Sequence, residues 1–420
     1  MIITPMGNIS KFKKRFLAIS VIALVMFGCI GYNVVKGIEE DQRLQRELLE
    51  LQEMEIDIAR LKLLEQAELL FKGYYYDEAL ALLTENTGLV NETTAELAKR
   101  INHEKNNLVL YEDTVQHIFF HSLILYPEYL IPNLNVSGGQ FNEGFVFQRE
   151  LIRILPQLLE RGYVLYNVND VFGKDINGIM RQKEIYLPEG KHPLIISMDD
   201  PSYHYGIGLA HRMILDENGK LATEVITPQG EAIVTYDGDV MLVINNFVDE
   251  HPDFSFRGHK GIIATTGFFG FLGHKLDTDE SKQRATAVAG KLKETGWIFA
   301  SHSYGHTRVG FWGPGSNAGN ITRDTARWQE VIEPITGTTN IFVAPFGYTL
   351  SGAAMDVILN NGFNIYCNVV ASQRISVNDR YALMGRIEIG GYALEFYKST
   401  LDRLFFDVDS VKDSHRPGLR

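Results

Sequence analysis

Between Arg15 and Lys36 the chain runs from Phe16 to Val35 without a single charge, and this run limits its architecture more than any other feature. A helix rises about 1.5 Å per residue, so about 20 apolar residues cross the hydrocarbon core of a bilayer. Lys11, Lys13, Lys14 and Arg15 stand before the run. Such a basic flank stays in the cytoplasm. Residues 1–37 are therefore expected to be a cytoplasmic tip and a single-pass signal anchor in the cell membrane. The N-terminus would lie inside and everything after Gly37 outside. A cleaved signal peptide is the second reading, but the run continues past any cleavage point and has no clear small-x-small site. Met26-Phe27-Gly28-Cys29 loosely resembles a lipoprotein signal, with bulky Phe27 the poor fit.

The net charge of -12 argues against a nucleic-acid partner, because phosphate binding needs clustered Lys and Arg, and none cluster beyond the first 15 residues. Two cysteines, Cys29 in the apolar run and Cys367 in an expected strand, do not make a disulfide framework.

Residues 38–112 read as a helical stalk or hairpin. Leu44, Leu48, Leu51, Met54, Ile58 and Leu61 recur at spacings of three and four among polar residues. The stripe fits a short coiled coil, with self-association through the stalk, or one side of a hairpin. Ala67 to Leu80 resembles one tetratricopeptide-type helix pair, but no second copy follows to bury its face. A partner-binding module is the alternative to a plain stalk.

From residue 113 to 406 short β-branched and aromatic runs alternate with helical segments. Ile118–Ile124, Tyr163–Val168, Pro193–Met198, Gly261–Thr265, Trp297–Ala300, Asn340–Ala344 and Phe363–Cys367 read as strands, and Phe147–Arg161 as a helix. This alternation predicts a parallel (β/α) barrel. An insertion at about 205–236 carries the turn signal Asp216-Glu217-Asn218-Gly219 and should fold as a β excursion. Residues 407–420 read as a polar, loosely ordered tail.

Reactive groups in such barrels gather where strands end. Ser197-Met198-Asp199-Asp200 ends one strand, and adjacent carboxylates repel unless a cation or proton offsets them. One Asp could hold a metal and the other act as a base; a helix N-cap would need only one. Ser301-His302-Ser303-Tyr304-Gly305-His306 ends another strand. Two histidines four apart can share a helical turn and face one ion, zinc being well suited to imidazole. A pair of loop histidines on the surface is the alternative. Pro345-Phe346-Gly347-Tyr348 turns sharply at a third strand end and could present aromatic faces to a sugar.

Order and type of these clusters resemble the polysaccharide deacetylase family, carbohydrate esterase family 4, whose fold is a distorted (β/α) barrel. Its T-F-D-D motif is similar to Ser197–Asp200, and its H-[S/T]-x-x-H motif is matched in full by His302–His306. Phe120–Ile124 and Asp237-Gly238-Asp239-Val240 also look like a membrane-anchored Gram-positive branch. The resemblance implies a hydrolase that removes N-acetyl groups from a cell-surface carbohydrate, peptidoglycan or another N-acetylhexosamine polymer. It implies a divalent metal, zinc first, on Asp200, His302 and His306. Asp199 would be the base acting on a water bound at that metal. Apart from the resemblance, Tyr203 follows the Asp pair closely and could line the substrate groove with Pro345, Phe346 and Tyr348, ordinary loop and turn roles being the alternative.

The departures are specific. Val343 stands where the family carries an Arg that orients the base, no Asp and Trp motif is evident near Asn368, and Met384–Ile389 lacks the His that acts as acid. His121, in an apolar strand, is a candidate for the acid if the barrel is circularly permuted; Arg386 is a candidate for the guanidinium. Otherwise His121 is a core histidine and Arg386 an exposed barrel residue. Two alternatives keep the fold: a catalytically weak or inactive glycan-binding scaffold, and an O-acetyl esterase using the same site.

Overall fold

The computed structural model describes residues 8–127, 138–203 and 209–419, with the side chains of 8–14 and 138–140 left aside. Two compact units emerge, one built from residues 1–68 and 78–99 and the other from 69–77 and 100–420.

The first unit is helical. Helix α1 spans Asn8–Lys72, and from Arg15 onward it contains a window of mean hydropathy 2.1 with no part buried. It is long and apolar enough to cross a membrane. Toward its end Leu63 and Ala67 are buried, as are Ala79 and Leu83 of α2 (Tyr76–Glu85) and Leu97 of α3 (Glu92–Asn106). Arg60 ties α1 to the connection between α2 and α3 by donating to the Leu89 carbonyl at 3.1 Å. The stripe from Leu44 to Leu61 stays exposed.

The second unit is a closed parallel barrel, as the alternating pattern predicted. Its strands are β1 (Gln116–Phe120), β2 (His192–Asp199), β3 (Gly261–Thr265), β4 (Trp297–Ser301), β5 (Ile341–Val343), β6 (Ile365–Val369) and β7 (Ala382–Glu388). They pair in the circular order β3-β4-β5-β6-β7-β1-β2, and β2 closes onto β3 through Ile262 beside Ser197 and Ala264 beside Asp199. Strands covered on both faces read as nearly continuous apolar runs, and Leu194, Ile195, Ile196 and Met198 are all fully buried. The barrel is distorted at β4–β5, where the ladder consists of Ser301 beside Phe342 alone. Surrounding helices include α4 (Gln148–Glu160), α5 (Val240–Glu250), α6 (Asp279–Glu294) and α7 (Ala318–Val331).

Several boundaries differ from the sequence expectation. Strand β1 stops at Phe120, so His121 to Ile124 leave the ladder. Tyr163–Leu165 lies beside β2 outside the closed ring, and a helix begins at Val168. The predicted insertion is a three-stranded antiparallel sheet, Ala210–Leu215, Leu221–Ile226 and Ala232–Thr235, although its first residues, 205–208, fall outside the described ones. The described residues after 407, up to 419, are not loose. Val408 and Val411 are buried, and buried Arg416 grips buried Glu150 of α4 at 2.6 and 2.9 Å. A polar tail can dock when each charge finds its opposite, a pairing that local composition does not reveal.

Candidate metal centre

Asp199 is the last residue of β2 and Asp200 the first beyond it. Asp200 turns into the left-handed region (φ 54°), as do Ser303 (61°), His306 (45°) and Phe346 (56°). Such backbone costs free energy in a non-glycine residue and gathers at sites where side chains must be aimed. Here it bends three loops at one end of the barrel toward a common point.

The two histidines do not share a helical turn. They sit in an irregular loop after β4, and the loop is held from below. Both Asp324 oxygens accept backbone N–H groups, from Tyr304 and Gly305, each at 2.9 Å. The Ser303 hydroxyl accepts from the His306 N–H at 2.9 Å. His302 Nδ1 lies 2.8 Å from the Val343 carbonyl oxygen, across the gap where the β4–β5 ladder is thinnest. A carbonyl can only accept, so Nδ1 carries the proton and Nε2 presents its lone pair.

That lone pair faces Asp200. Asp200 Oδ2 is 3.8 Å from His302 Nε2 and 3.3 Å from His306 Nε2, and donor atoms of the three residues all lie within 4.8 Å of one another. Ligands about 2.1 Å from a tetrahedral ion stand roughly 3.4 Å apart. Electrostatics agree with the spacing. Burial pushes the Asp200 carboxyl up, and Asp199 adds to the rise. Burial lowers His302, and lowers His306 to about 4, so both imidazoles are neutral. One carboxylate beside two neutral imidazoles is a donor set that fits a divalent ion of the zinc type.

Asp199 has a different partner. Arg386, fully buried on β7, donates from Nη1 to Oδ1 at 2.7 Å and from Nη2 to Oδ2 at 2.9 Å. Burial alone would raise the Asp199 carboxyl; the guanidinium reverses this and holds it well below the usual carboxylate range. Arg386 is itself braced, with Nη1 also 3.0 Å from Ser197 Oγ and its Cζ 4.1 Å from the centre of the Phe119 ring. His117 Nε2 reaches the same hydroxyl at 2.9 Å.

A cleft of about 670 Å³ opens over these residues. Its lining includes Asp199, Asp200, His302, His306, His121 and Phe346. His121 follows β1, which closes the barrel between β7 and β2. Its Nδ1 lies 3.1 Å from the Gly144 carbonyl and 3.4 Å from Glu388 Oε1, and its ring stacks on Phe145. Solved structures similar to this chain include deacetylases. They include deacetylase PplD of Streptococcus pyogenes in complex with acetate (TM-score 0.41, 10% identity, covering 66% of this chain and 93% of that one). A de-N-acetylase from Aggregatibacter actinomycetemcomitans has TM-score 0.38 and 14% identity over 66% of this chain and 96% of its own. The BpsB deacetylase domain from Bordetella bronchiseptica has TM-score 0.32 and 12% identity over 65% and 97%. No family model matches the sequence, and no curated protein matches it.

Three residues expected in the groove lie elsewhere. Tyr203 is buried, and its hydroxyl faces Asp239 rather than the cleft. Pro345 is buried beneath the turn, and Tyr348 is exposed but outside the cleft lining. The turn lines the cleft with Phe346 and Gly347, and Phe346 packs on His306 with ring centres 4.4 Å apart. Sequence reading missed Glu388 and Asp324. Glu388 is legible afterwards as a carboxylate two residues from Arg386 on one face of β7. It also missed the exposed aromatic rim of Phe268, Phe269 and Tyr392, which adjoins no recognisable motif.

Proposed function

We propose that this chain is a metal-dependent deacetylase of an N-acetylated carbohydrate, tethered by α1 to the outer face of the cell membrane. The convergence of Asp200, His302 and His306 carries the reading, together with the motif order that resembles carbohydrate esterase family 4. A divalent ion there, zinc first, would polarise the acetyl carbonyl and make an adjacent water more acidic. Asp199 would be the base toward the attacking water. Its pairing with Arg386 keeps it ionised and fixes its direction, the task that the residue at Val343 cannot perform. His121 donates a proton to the departing amine through Nε2, because Nδ1 is turned to the Gly144 carbonyl and Glu388. Phe346, Phe268, Phe269 and Tyr392 offer ring faces to sugars on either side of the acetylated one. The substrate is peptidoglycan or another N-acetylhexosamine polymer, and loss of acetyl groups would expose amines on it.

The intact donor set and the Arg386–Asp199 pair favour an enzyme over a binding scaffold, which has no use for either. The test is acetate release from N-acetylhexosamine oligomers by the purified full chain, with bound metal measured in the same sample. Bound metal together with acetate release that disappears in Asp199→Asn supports the proposal. Metal-free protein that stays inert after zinc, cobalt, nickel or manganese is added would leave the scaffold reading in its place. Release from O-acetylated but not N-acetylated glycans would make it an esterase.

A further inference from the structure

A second cavity, of about 590 Å³, opens at the opposite end of the barrel, where strands begin. Lys260 borders it directly before β3, and Gly296 directly before β4. The floor is tight there. Gly296 has φ 100°, and a Cβ on it would come within 2.0 Å of the Gly258 carbonyl oxygen. The outer wall comes from the last turns of α5 and α6 and from Lys220 and Tyr236 of the antiparallel excursion.

The lining is basic in a chain of net charge -12. Lys220, Arg257, Lys260, Lys291 and Lys293 face two carboxylates, Asp249 and Glu294. Some of these cations are accounted for locally. Lys291 lies 3.0 Å from Glu294, and Lys293 donates to the Thr336 carbonyl at 3.3 Å. Lys220 sits over the exposed Tyr236 ring, 4.8 Å from its centre. Lys260 is the exception. It is only 7% exposed; its backbone N–H donates to the Gly296 carbonyl at 2.9 Å, but among the described residues no hydrogen bond or ion pair reaches its ammonium. Burial lowers its pKa, and the more distant Asp249 is all that opposes the shift. An ammonium so placed is costly unless an anion meets it, and a concave wall of like charges concentrates anions from solution.

We propose that this cavity binds a phosphate-bearing saccharide, with Lys260 as the buried partner of the phosphate and Lys220 and Tyr236 holding the sugar end at the mouth. An ammonium stacked on an exposed aromatic ring suits a ligand with an anionic and a pyranose half. This site is separate from the cleft and does not depend on the deacetylase reading.

The test is calorimetric titration of the full chain in detergent micelles with N-acetylglucosamine 6-phosphate, N-acetylglucosamine and inorganic phosphate. The phosphosugar should bind at least about tenfold tighter than either component. Lys260→Met should weaken it about tenfold or more and melt no lower than the parent, since removal of an unpaired buried charge relieves a desolvation cost. Lys220→Ala, altered at the mouth, should weaken it several-fold without the risk of a core change. Asp200→Asn should leave binding unchanged, which places the ligand away from the cleft. No heat with the phosphosugar, equal affinity for phosphate alone, or binding unaltered in both lysine variants would overturn the proposal. So would a response to phosphatidylglycerol vesicles without one to the phosphosugar.

Discussion

Arg386 holds both oxygens of Asp199, at 2.7 and 2.9 Å, from a strand that lies 187 residues further along the chain. Both partners are buried, so each would be a stranded charge without the other. Arg386→Met should cost about 3–5 kcal/mol of stability. The double variant Asp199→Asn/Arg386→Met should recover much of that loss, while acetate release stays abolished in both. Urea unfolding of the parent, Asp199→Asn, Arg386→Met and the double variant measures it. Additive losses in the double variant would mean that the pair is not coupled.

Asp324 never touches the three donor residues, yet it holds the loop that carries two of them through the Tyr304 and Gly305 amides. Partners that orient metal ligands are typically worth about 10–100-fold in metal affinity. Asp324→Ala should therefore weaken zinc binding by about that factor, read by chelator competition, with Asp200→Asn losing more. Unchanged affinity would show that the loop holds its shape without the aspartate.

The parts of this site that were legible in the sequence share a physical character. Asp199, Asp200, His302 and His306 stand in short runs of like chemistry directly after apolar strands, so local order alone exposes them. Arg386 and His121 were reachable only as vacancies to be filled, because their partners lie on strands remote in sequence. Ring closure between the first strand and the last brings them in, and no local pattern records it. Tyr203 misled for the opposite reason. It is three residues from Asp200, but its own left-handed backbone (φ 54°) turns it inward to Asp239. The tail misled because the partner of Arg416, Glu150, lies 266 residues away in the sequence.

His121 and Glu388 meet at 3.4 Å across the β1–β7 junction. If His121 protonates the leaving amine, His121→Ala should lower kcat by about 10²–10⁴-fold. KM and bound metal should change little. Glu388→Gln should cost less, since it alters only how the ring is held. Turnover unchanged in His121→Ala would remove the residue from the mechanism.

Asp239 caps α5 by accepting from the Val240 N–H, and burial pushes its carboxyl up to about 7. The folded chain then retains a proton that the unfolded chain has lost above the ordinary value of 3.8. This contribution is fully present below pH 3.8 and is lost as pH rises toward 7. Its slope is about 1.4 kcal/mol per pH unit within that window. Asp239→Asn keeps an acceptor for the cap but cannot titrate. The stability of the parent minus that of the variant should fall as pH rises from 4 to 7, by denaturant titration. A flat difference would place the carboxyl near its ordinary value.

Leu44, Leu48, Leu51, Met54, Ile58 and Leu61 remain exposed along α1, on the stretch between the apolar run and the buried residues of its last turns. An apolar stripe at spacings of three and four, bordered by charged residues, is a seam that a second helix can cover. The same stretch in another copy of this chain offers a self-complementary face, and a shared membrane would hold two such helices parallel. The full chain in micelles should therefore run as a dimer in sedimentation. Leu48→Glu with Leu51→Glu should make it a monomer and leave acetate release on short oligomers unchanged, because the cleft lies in the other unit. A parent chain that sediments as a monomer over a range of micelle concentrations would reduce the stripe to a spacer.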